Sequence, residues 1–294
     1  MFNMEQFQLT DLRSTVPDTT KWPVPGQKIA LPNGSVYTLG KQLGNGFFSV
    51  VYGGVDLWDN QLAIKVIKPC ANESRDYERE RGNLISFRHP AITHVYDCFE
   101  FNGLHYIVTE RCDCTLRSYL ALPFSAPNRW LLPLARTILQ ALAFLHRAKW
   151  VHQDVHPGNV FVSVVKNDYG PLPPEPIVKF KLGDLGLSRP AEALTIDSTM
   201  AKWMKPPEAL DPSFGKLDCR MDIYHAALLF LFVCLGREVE FSKEQALDGA
   251  PKKAAEGLHT PLGDVIAWGL RRHVINRPQT AIGFWQAIKQ VVMP

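Results

Sequence analysis

The sequence predicts an α+β fold in two parts, a small antiparallel β-sheet with one main helix followed by a larger, mostly helical part. Residues 37–68 contain three strand-like runs, "YTLGKQLGNG", "SVVYGGVDLW" and "QLAIKVIK", and two more, "THVYDCFEF" and "LHYIVTE", flank Asn102-Gly103. The charged segment "ESRDYERERGNLISFR" between these groups is a helix candidate. Beyond Thr115, apolar residues follow helix-length patterns at residues 131–148, 222–236, 262–272 and 281–292.

These patterns also divide the chain. We expect an N-terminal extension over residues 1–36 and one two-lobed domain over residues 37–294, with the small lobe at about 37–111 and the large lobe at about 112–294. The stretch "KIALPNGSVYTL" predicts two short strands around a Pro-Asn-Gly turn. The Pro-rich "YGPLPPEPIV" predicts a long surface loop between two strands.

Composition limits the classes of function. With 46% hydrophobic and 21% charged residues, the 294-residue chain can bury a sizeable core. Its net charge of +3 comes from scattered basic residues, which gives no electrostatic support for binding nucleic acid or an anionic membrane. The most apolar run, Ile223 to Gly236, is shorter than the ~20 residues of a membrane span and predicts a buried core helix.

The six cysteines show no paired metal-type spacing, and no signal peptide opens the chain. We therefore expect reduced thiols and a cytoplasmic location.

The first candidate functional feature is the glycine-containing stretch "LGNGFFSVVYGG". Gly44, Asn45 and Gly46 lie between two strand-like segments, with Ser49 and Val51 just after them. Glycine allows backbone amides to approach phosphate oxygens closely, so the stretch is a candidate phosphate-binding loop. On its own, the pattern is equally consistent with an ordinary tight turn.

The second feature is a lysine in a strand and a glutamate in the following helix. Lys65 in "LAIKVIK" lies on the same strand face as Ala63 and Ile67, where an unpaired ammonium is costly to bury. Glu80 follows on the charged helix candidate, with Glu78 as a neighbour that could take its place. An ammonium can bridge a carboxylate and nucleotide phosphates, although a single such charge is often only a solvated surface group.

The third feature is a set of two acids and an amide. Asp154 and Asn159 lie five residues apart in "HQDVHPGNV", and Asp184 follows in "KLGDLGLS". One amide and one carboxylate are suitable hard oxygen ligands for Mg²⁺. A separate carboxylate, Asp154, could then accept the proton of a substrate hydroxyl.

Together these motifs resemble the eukaryotic-type protein kinase family, and serine/threonine kinases in particular. "HQDVHPGN" is similar to the catalytic loop HRDLKxxN, "DLG" to DFG, and "WMKPPE" to the segment ending in APE. "RMDIYHAALLF" resembles the buried helix whose Asp braces the catalytic loop, and "NRPQTA" the late Arg-Pro motif. The resemblance covers roughly residues 37–290 and implies the bilobal kinase fold.

The resemblance assigns roles to the candidate residues. Asp154 would be the catalytic base, assisted by Lys65 and Asn159, and Mg²⁺ would be held by Asn159 and Asp184. The residues implied in ATP binding are Gly44, Asn45, Gly46, Ser49, Val51, Ala63, Lys65, Glu80, Thr109, Glu110, Cys112 and Phe161. Within this set, Lys65 would contact the α- and β-phosphates and be held by Glu80. Thr109 would lie at the back of the adenine pocket, with Glu110 to Cys112 as the hinge.

The implied activity is transfer of the γ-phosphoryl group from ATP to a protein Ser or Thr hydroxyl, with autophosphorylation as one outcome. The resemblance also implies two structural features, a buried Glu208–Arg277 ion pair and a bracing role for Asp222. A regulatory partner is compatible with the sequence, and residues of the extension are candidates to dock on the small lobe.

Several positions depart from the family pattern. Gln153 replaces the arginine of HRD, which often pairs with an activation-segment phosphate, so we expect activity that does not depend on such a phosphate. His156 stands where serine/threonine kinases usually carry a lysine, and its imidazole could donate a hydrogen bond. Ser49 replaces the third loop glycine, and Leu185 replaces Phe. Ala201 falls where a threonine is expected, which weakens the serine/threonine assignment.

Two other functions remain open at this point. The His-Pro-Gly-Asn sequence also occurs in small-molecule kinases of the aminoglycoside or choline type, whereas the Glu208, Asp222 and Arg277 motifs favour a protein kinase. A non-enzymatic pseudokinase that only binds nucleotide is the other alternative. It is disfavoured because the lysine, the base and the metal-binding acid are all present.

Overall fold

The computed structural model describes residues 22–45, 49–68, 85, 87–122, 127–165, 177–195 and 205–293. These residues form the predicted two-lobed α+β arrangement. A curled antiparallel sheet makes the small lobe, and a mostly helical lobe follows.

The small lobe contains a six-stranded antiparallel sheet in the order β1-β2-β3-β4-β6-β5. Its strands are β1 (Lys28–Ala30), β2 (Val36–Asn45), β3 (Ser49–Val55), β4 (Gln61–Ile67), β5 (Val95–Phe101) and β6 (Leu104–Glu110). Alternation sets the two faces, as in β4, where Leu62, Ile64 and Val66 are buried and the intervening residues face the other side. The buried faces share one apolar cluster. The predicted strands of this lobe are therefore confirmed.

Strand β1 lies within the predicted extension, yet it is paired with β2 through the register Lys28↔Thr38 to Ala30↔Val36. The preceding residues also pack on the sheet, because the Tyr52 hydroxyl donates to the Pro23 carbonyl over 2.7 Å. The predicted boundary between residues 36 and 37 thus falls inside a hydrogen-bonded hairpin.

The large lobe is built around a buried central helix. Its helices are α1 (Leu116–Leu120), α2 (Pro127–Arg147), α3 (Pro207–Leu210), α4 (Arg220–Leu235), α5 (Lys243–Leu247), α6 (Ala250–Glu256), α7 (Pro261–Gly269) and α8 (Ala281–Val292). In α4 every residue from Met221 to Val233 is buried, as expected for a helix that is apolar on all sides. The predicted core helix is therefore confirmed. Among the described helices, none combines the length and apolarity that crossing a bilayer requires.

Short strand pairs position the loops of the large lobe. Strand β9 (Val160–Val165) pairs with β10 (Ile177–Leu182) and with β7 (Cys114–Thr115), while β8 (Trp150–Val151) pairs with β11 (Arg189–Pro190). The antiparallel β9–β10 pair flanks the predicted Pro-rich loop, whose residues 169–176 lie outside the described ranges. The same holds for residues 73–84 of the charged helix candidate.

The lobes are joined by backbone hydrogen bonds beside β10. The Thr93 amide donates to the Leu182 carbonyl, and the Leu182 amide donates to the Ala91 carbonyl, each over 2.8 Å. An ion pair between Lys181 Nζ and Glu110 Oε1, 2.5 Å apart, adds a side-chain link between β10 and the end of β6. The ends of the two lobes are thereby held against each other, with the loop before β9 and the loop after β10 nearby.

Candidate active site

The register of the small-lobe sheet brings predicted nucleotide-binding residues to one face. Lys65 lies opposite Val51 on β3 and opposite Ile107 on β6, whereas Ala63 lies opposite Thr109. Directly opposed residues of antiparallel strands project from the same face. The Thr109 hydroxyl also donates to the Ala63 carbonyl over 3.2 Å. Val51, Ala63, Lys65 and Thr109 therefore line one surface of the small lobe.

Lys65 joins the small lobe to the large lobe through Asp184. Its Nζ lies 2.7 Å from both carboxylate oxygens of Asp184, although the two residues are 119 positions apart. Burial raises the pKa of Asp184, but the charge and hydrogen bond of Lys65 and the Gly186 amide outweigh it and leave that pKa lowered. The carboxylate is therefore ionised at neutral pH. The Lys65 partner implied by the family resemblance, Glu80, lies outside the described residues, so that pairing stays a prediction.

Asp154 and Asn159 contact each other directly. The Asn159 Nδ2 donates to Asp154 Oδ2 over 2.7 Å and to the Asp154 carbonyl over 2.9 Å. The other carboxylate oxygen, Oδ1, is buried and has no hydrogen-bond partner among the described residues. One oxygen of Asp154 is thus held in position while the other is available to accept a proton.

The charge state of Asp154 is set by two histidines. Burial raises its pKa, but the hydrogen bond and charge of His156 and the charge of His152 outweigh burial, so the net shift is downward. His156 Nε2 lies 3.5 Å from Asp154 Oδ2, and its Nδ1 accepts the Gly158 amide over 2.9 Å. Asp154 is therefore ionised at neutral pH.

The loop that carries Asp154 is braced from below by Asp222. The fully buried Asp222 carboxylate accepts the backbone amides of His152 and Gln153, each over 2.8 Å, and lies 2.9 Å from His146 Nε2. This is the structural role that the family resemblance implies for Asp222. His146 was not anticipated, because a histidine near the end of an amphipathic helix carries no local signal of a partner 76 residues away.

Gly183 is where the base-bearing loop meets Asp184. Its amide donates to the Asn159 carbonyl over 2.9 Å, and its carbonyl lies 3.1 Å from His152 Nε2. A Cβ at this position would approach the Phe161 ring to 2.6 Å and the Thr93 hydroxyl to 2.5 Å, so the close approach requires glycine. Asp154, Asn159 and Asp184 therefore gather at one junction, beside the half-buried Phe161.

The donor set at this junction fits Mg²⁺. Asp184 supplies an ionised carboxylate. Because Asn159 uses its Nδ2 on Asp154, its Oδ1 is the atom left for coordination. Oxygen donors of this kind are what Mg²⁺ prefers, and one or two protein ligands suffice when substrate phosphates and water complete the shell.

The remaining predicted residues have more varied environments. Gly44, Asn45 and Ser49 belong to the ends of strands β2 and β3, whereas Gly46 lies outside the described residues. Glu110 uses its side chain to accept the His94 amide over 2.6 Å and to pair with Lys181. A nucleotide contact at Glu110 would therefore have to use backbone atoms.

Cys112, the other end of the predicted hinge, is partly buried. Burial is the main cause that raises the pKa of its thiol, which keeps the side chain neutral.

Glu208 and Arg277 form the buried ion pair that the resemblance implies. The Arg277 guanidinium makes two hydrogen bonds to the Glu208 carboxylate, of 2.6 and 2.7 Å, and both side chains are 0% exposed. Arg277 also donates to the carbonyls of Arg271 and Arg272 and lies over the Tyr224 ring. The pair ties helix α3 to the segment before α8.

Comparison of sequences finds serine/threonine-protein kinases of bacteria among the relatives of this chain. The serine/threonine-protein kinase PknB of Mycobacterium leprae is 28% identical over 273 residues, which cover 83% of this chain and 41% of that protein. PknB of Mycolicibacterium smegmatis is 31% identical with the same coverage, and PrkC of Bacillus subtilis is 26% identical, covering 74% of this chain and 33% of PrkC. The chain thus spans about two fifths of the length of these PknB relatives.

A solved structure and a family model also match this chain. The crystal structure of the Mycobacterium tuberculosis PknI kinase domain aligns with a TM-score of 0.65 at 21% identity, covering 92% of this chain and 99% of that chain. This likeness confirms the bilobal fold predicted from the sequence. The protein kinase domain model matches residues 37–260. This match extends over more than half of the sequence, and the chain belongs to the protein kinase domain family.

Proposed function

We propose that this chain is an ATP- and Mg²⁺-dependent protein kinase that phosphorylates serine or threonine hydroxyls of a protein substrate. The observation that carries the proposal is the junction at Gly183. There Lys65, Asp154, Asn159 and Asp184, drawn from distant parts of the sequence, come together with both acids ionised. The names of the PknB and PrkC relatives support the serine/threonine assignment.

In this proposal the protein contributes mainly positioning and charge. Lys65 donates to nucleotide phosphates, and the free Oδ1 of Asp154 accepts the proton of the substrate hydroxyl. Asn159 keeps the base in place through Oδ2 and, with Asp184, holds the metal. Bound Mg²⁺ would offset the negative charge of the nucleotide phosphates.

A protein substrate is favoured over a small molecule by the large-lobe framework. The Glu208–Arg277 pair and the Asp222 brace are parts of the protein-kinase pattern, and both are present in full. The ion pair fixes α3 against the segment before α8, and Asp222 fixes the loop that carries Asp154. The pseudokinase alternative is weakened because Asp154 and Asp184 are both ionised and suitably partnered.

A transfer assay tests the proposal. The purified chain is incubated with Mg²⁺ and γ-labelled ATP in the presence of generic protein substrates, an aminoglycoside or choline. Asp154→Asn and Asp184→Asn serve as inactive controls, and the exposed Asp248→Asn serves as the matched control. We expect label on Ser or Thr of protein, lost in the two site variants and kept in Asp248→Asn. Label only on the small molecules, or nucleotide binding without transfer, would contradict the proposal.

We also propose that this part of the chain works in the cytoplasm. Cys112, Cys114, Cys219 and Cys234 are free thiols in the described part of the chain, as thiols usually are in a reducing compartment. Fractionation of the native host with an antibody to the chain tests the location, and recovery in an oxidising compartment would contradict it.

A further inference from the structure

Gln153 occupies an unusual position beside the base. It is 0% exposed, and its backbone is left-handed, with φ of +68°, a conformation that only a small share of non-glycine residues adopt. Its backbone amide donates to Asp222, which fixes the position from which its side chain extends. Its Nε2 donates to the carbonyl of Leu187, three residues beyond Asp184.

One atom of this side chain is not satisfied. Gln153 Oε1 is buried without a hydrogen-bond partner among the described residues, and the hydroxyl oxygen of Ser188 is in the same state. Ser188 is 1% exposed and immediately follows Leu187. Buried polar atoms that lack partners are rare because each costs free energy, so two on neighbouring segments call for an explanation.

Strand pairing explains why these atoms are neighbours. Strands β8 and β11 pair antiparallel with Val151 opposite Arg189. Continuing that register by two residues puts Gln153 opposite Leu187, in agreement with its hydrogen bond, and leaves Ser188 one position away. An amide oxygen accepts and a hydroxyl donates, so the two unsatisfied atoms are chemically complementary.

We propose that Gln153 is a positioning residue that fastens the Asp184 segment to the base-bearing loop. Its Nε2 holds the Leu187 carbonyl, and its Oε1 accepts the Ser188 hydroxyl when the segment is set for catalysis. The amide forms a neutral link that needs no phosphate, and we call it the Gln153 link.

The Gln153 link lies directly after Asp184 in the chain, so we expect it to control the position of the Asp184 carboxylate. The bonds of Gly183 to Asn159 and His152 fix the chain before Asp184, and the Gln153 link fixes the chain after it. Asp184 itself is left-handed, with φ of +54°, so it depends on its flanks to keep this conformation. Loss of the link should therefore displace the Asp184 carboxylate without unfolding the lobe.

The test combines three variants of the full chain, Gln153→Met, Ser188→Ala and the double variant. Methionine keeps the length of the side chain but has no amide, and alanine removes only the hydroxyl. Gln290→Met, at an exposed position on α8, is the matched control. Amide hydrogen exchange over residues 185–189 and affinity for Mg²⁺·ADP are measured first, because neither requires phosphoryl transfer. The kcat and the KM for ATP follow.

We expect exchange over residues 185–189 to rise about tenfold in Gln153→Met and to rise also in Ser188→Ala. The double variant should be no worse than Gln153→Met, because both changes break one unit. The kcat should fall about 10- to 100-fold, with a smaller change in KM, while the melting temperature and the control stay close to the parent.

Unchanged exchange in Gln153→Met, or strictly additive effects in the double variant, would overturn the inference. The kcat readout rests on the proposed function, whereas the exchange readout does not. A parent chain that transfers no phosphate but shows the expected exchange pattern would refute the proposed kinase activity and leave the Gln153 link standing.

Discussion

Asp154 shows how a single residue can be prepared for its task by its neighbours. One carboxylate oxygen is fixed by Asn159, the other is free, and the nearby histidines offset the effect of burial on its charge. The base is therefore ready in its ionised form before substrate arrives. A buried carboxylate without such neighbours would be protonated over a wider pH range.

The opposing effects of burial and of the histidines on the pKa of Asp154 predict how turnover depends on pH. Asp154 must be ionised to act, and its pKa is lowered from 3.8, so the parent should keep its turnover as pH falls to about 5. In His156→Asn the effect of burial remains while the largest opposing cause is lost, so the pKa of Asp154 rises. Turnover should then be lost at a higher pH on the acid side.

The measurement is kcat/KM as a function of pH for the parent and His156→Asn, with His259→Asn as an exposed histidine control. An unmoved acid limb in His156→Asn would show that His156 does not set the charge of Asp154.

At the residue scale the sequence identified the reacting groups better than their partners. Lys65, Asp154, Asn159 and Asp184 were predicted because each lies in a short motif whose chemistry is recognisable locally. The contacts of Lys65 with Asp184 and of Lys181 with Glu110 were not predicted. Each joins residues more than 70 positions apart, and no periodicity or spacing reports such a pair.

Between elements, we expect the Glu208–Arg277 pair to be highly sensitive to substitution. Both side chains are fully buried, so removing one partner leaves a charge in the interior. We expect Glu208→Gln and Arg277→Met each to lower the free energy of unfolding by about 3–5 kcal/mol. The double variant should be less destabilised than the sum of the single variants, because it leaves no unpaired charge.

Urea denaturation of the four chains measures these free energies. Equal and additive losses would mean that the contact is worth no more than its separate hydrogen bonds. Lys252→Met, which removes an exposed i,i+4 pair with Glu256, should cost at most about 0.5 kcal/mol and serves as the control.

The activation segment gives a second prediction at this scale. Gln153 stands where the family has an arginine that pairs with a phosphate. Its Nε2 donates to the Leu187 carbonyl, and this hydrogen bond requires no phosphate. Replacing Thr195, Ser198 and Thr199 together by alanine should therefore leave turnover within about twofold of the parent. Lys252→Ala, which breaks the exposed ion pair with Glu256 on α6, controls for unspecific effects on folding. A large drop in the triple variant alone would contradict phosphate-independent activity.

Elements were predictable where their patterns are long. Strands β2 to β6 and helices α2, α7 and α8 follow alternation or helical periodicity over seven or more residues, and α4 was predicted from its long apolar run. Helices α1, α3, α5 and α6 were missed because four to seven residues are too few for periodicity to show. In α5 a usable signal was present, since Ser242 and Gln245 form a capping box at its start.

For the molecule as a whole, the buried carboxylates predict how stability depends on pH. Burial raises the pKa of Asp222, but the hydrogen bond and charge of His146, the charge of His152 and its backbone amide bring it below 3.8. A group whose pKa is lower in the folded state stabilises the fold above its unfolded pKa. This contribution is lost as pH falls below about 4.

Urea unfolding at a series of pH values below 6 checks this expectation. The parent should lose stability steeply at the acid end, and Asp222→Asn, which is less stable at neutral pH, should show a shallower loss. Parallel curves for the two chains would mean that Asp222 contributes no pH dependence.

The central claim is that the two lobes hold Mg²⁺ and nucleotide in the cleft beside the Lys65–Asp184 pair. Calorimetric titration of Mg²⁺·ATP tests it most directly, with the parent, Lys65→Met, Asp184→Asn and Asp154→Asn compared under one condition. We predict that Lys65→Met and Asp184→Asn each weaken binding about tenfold or more, because each removes a charged contact, while Asp154→Asn binds like the parent. Parent-like binding by both Lys65→Met and Asp184→Asn would contradict the claim.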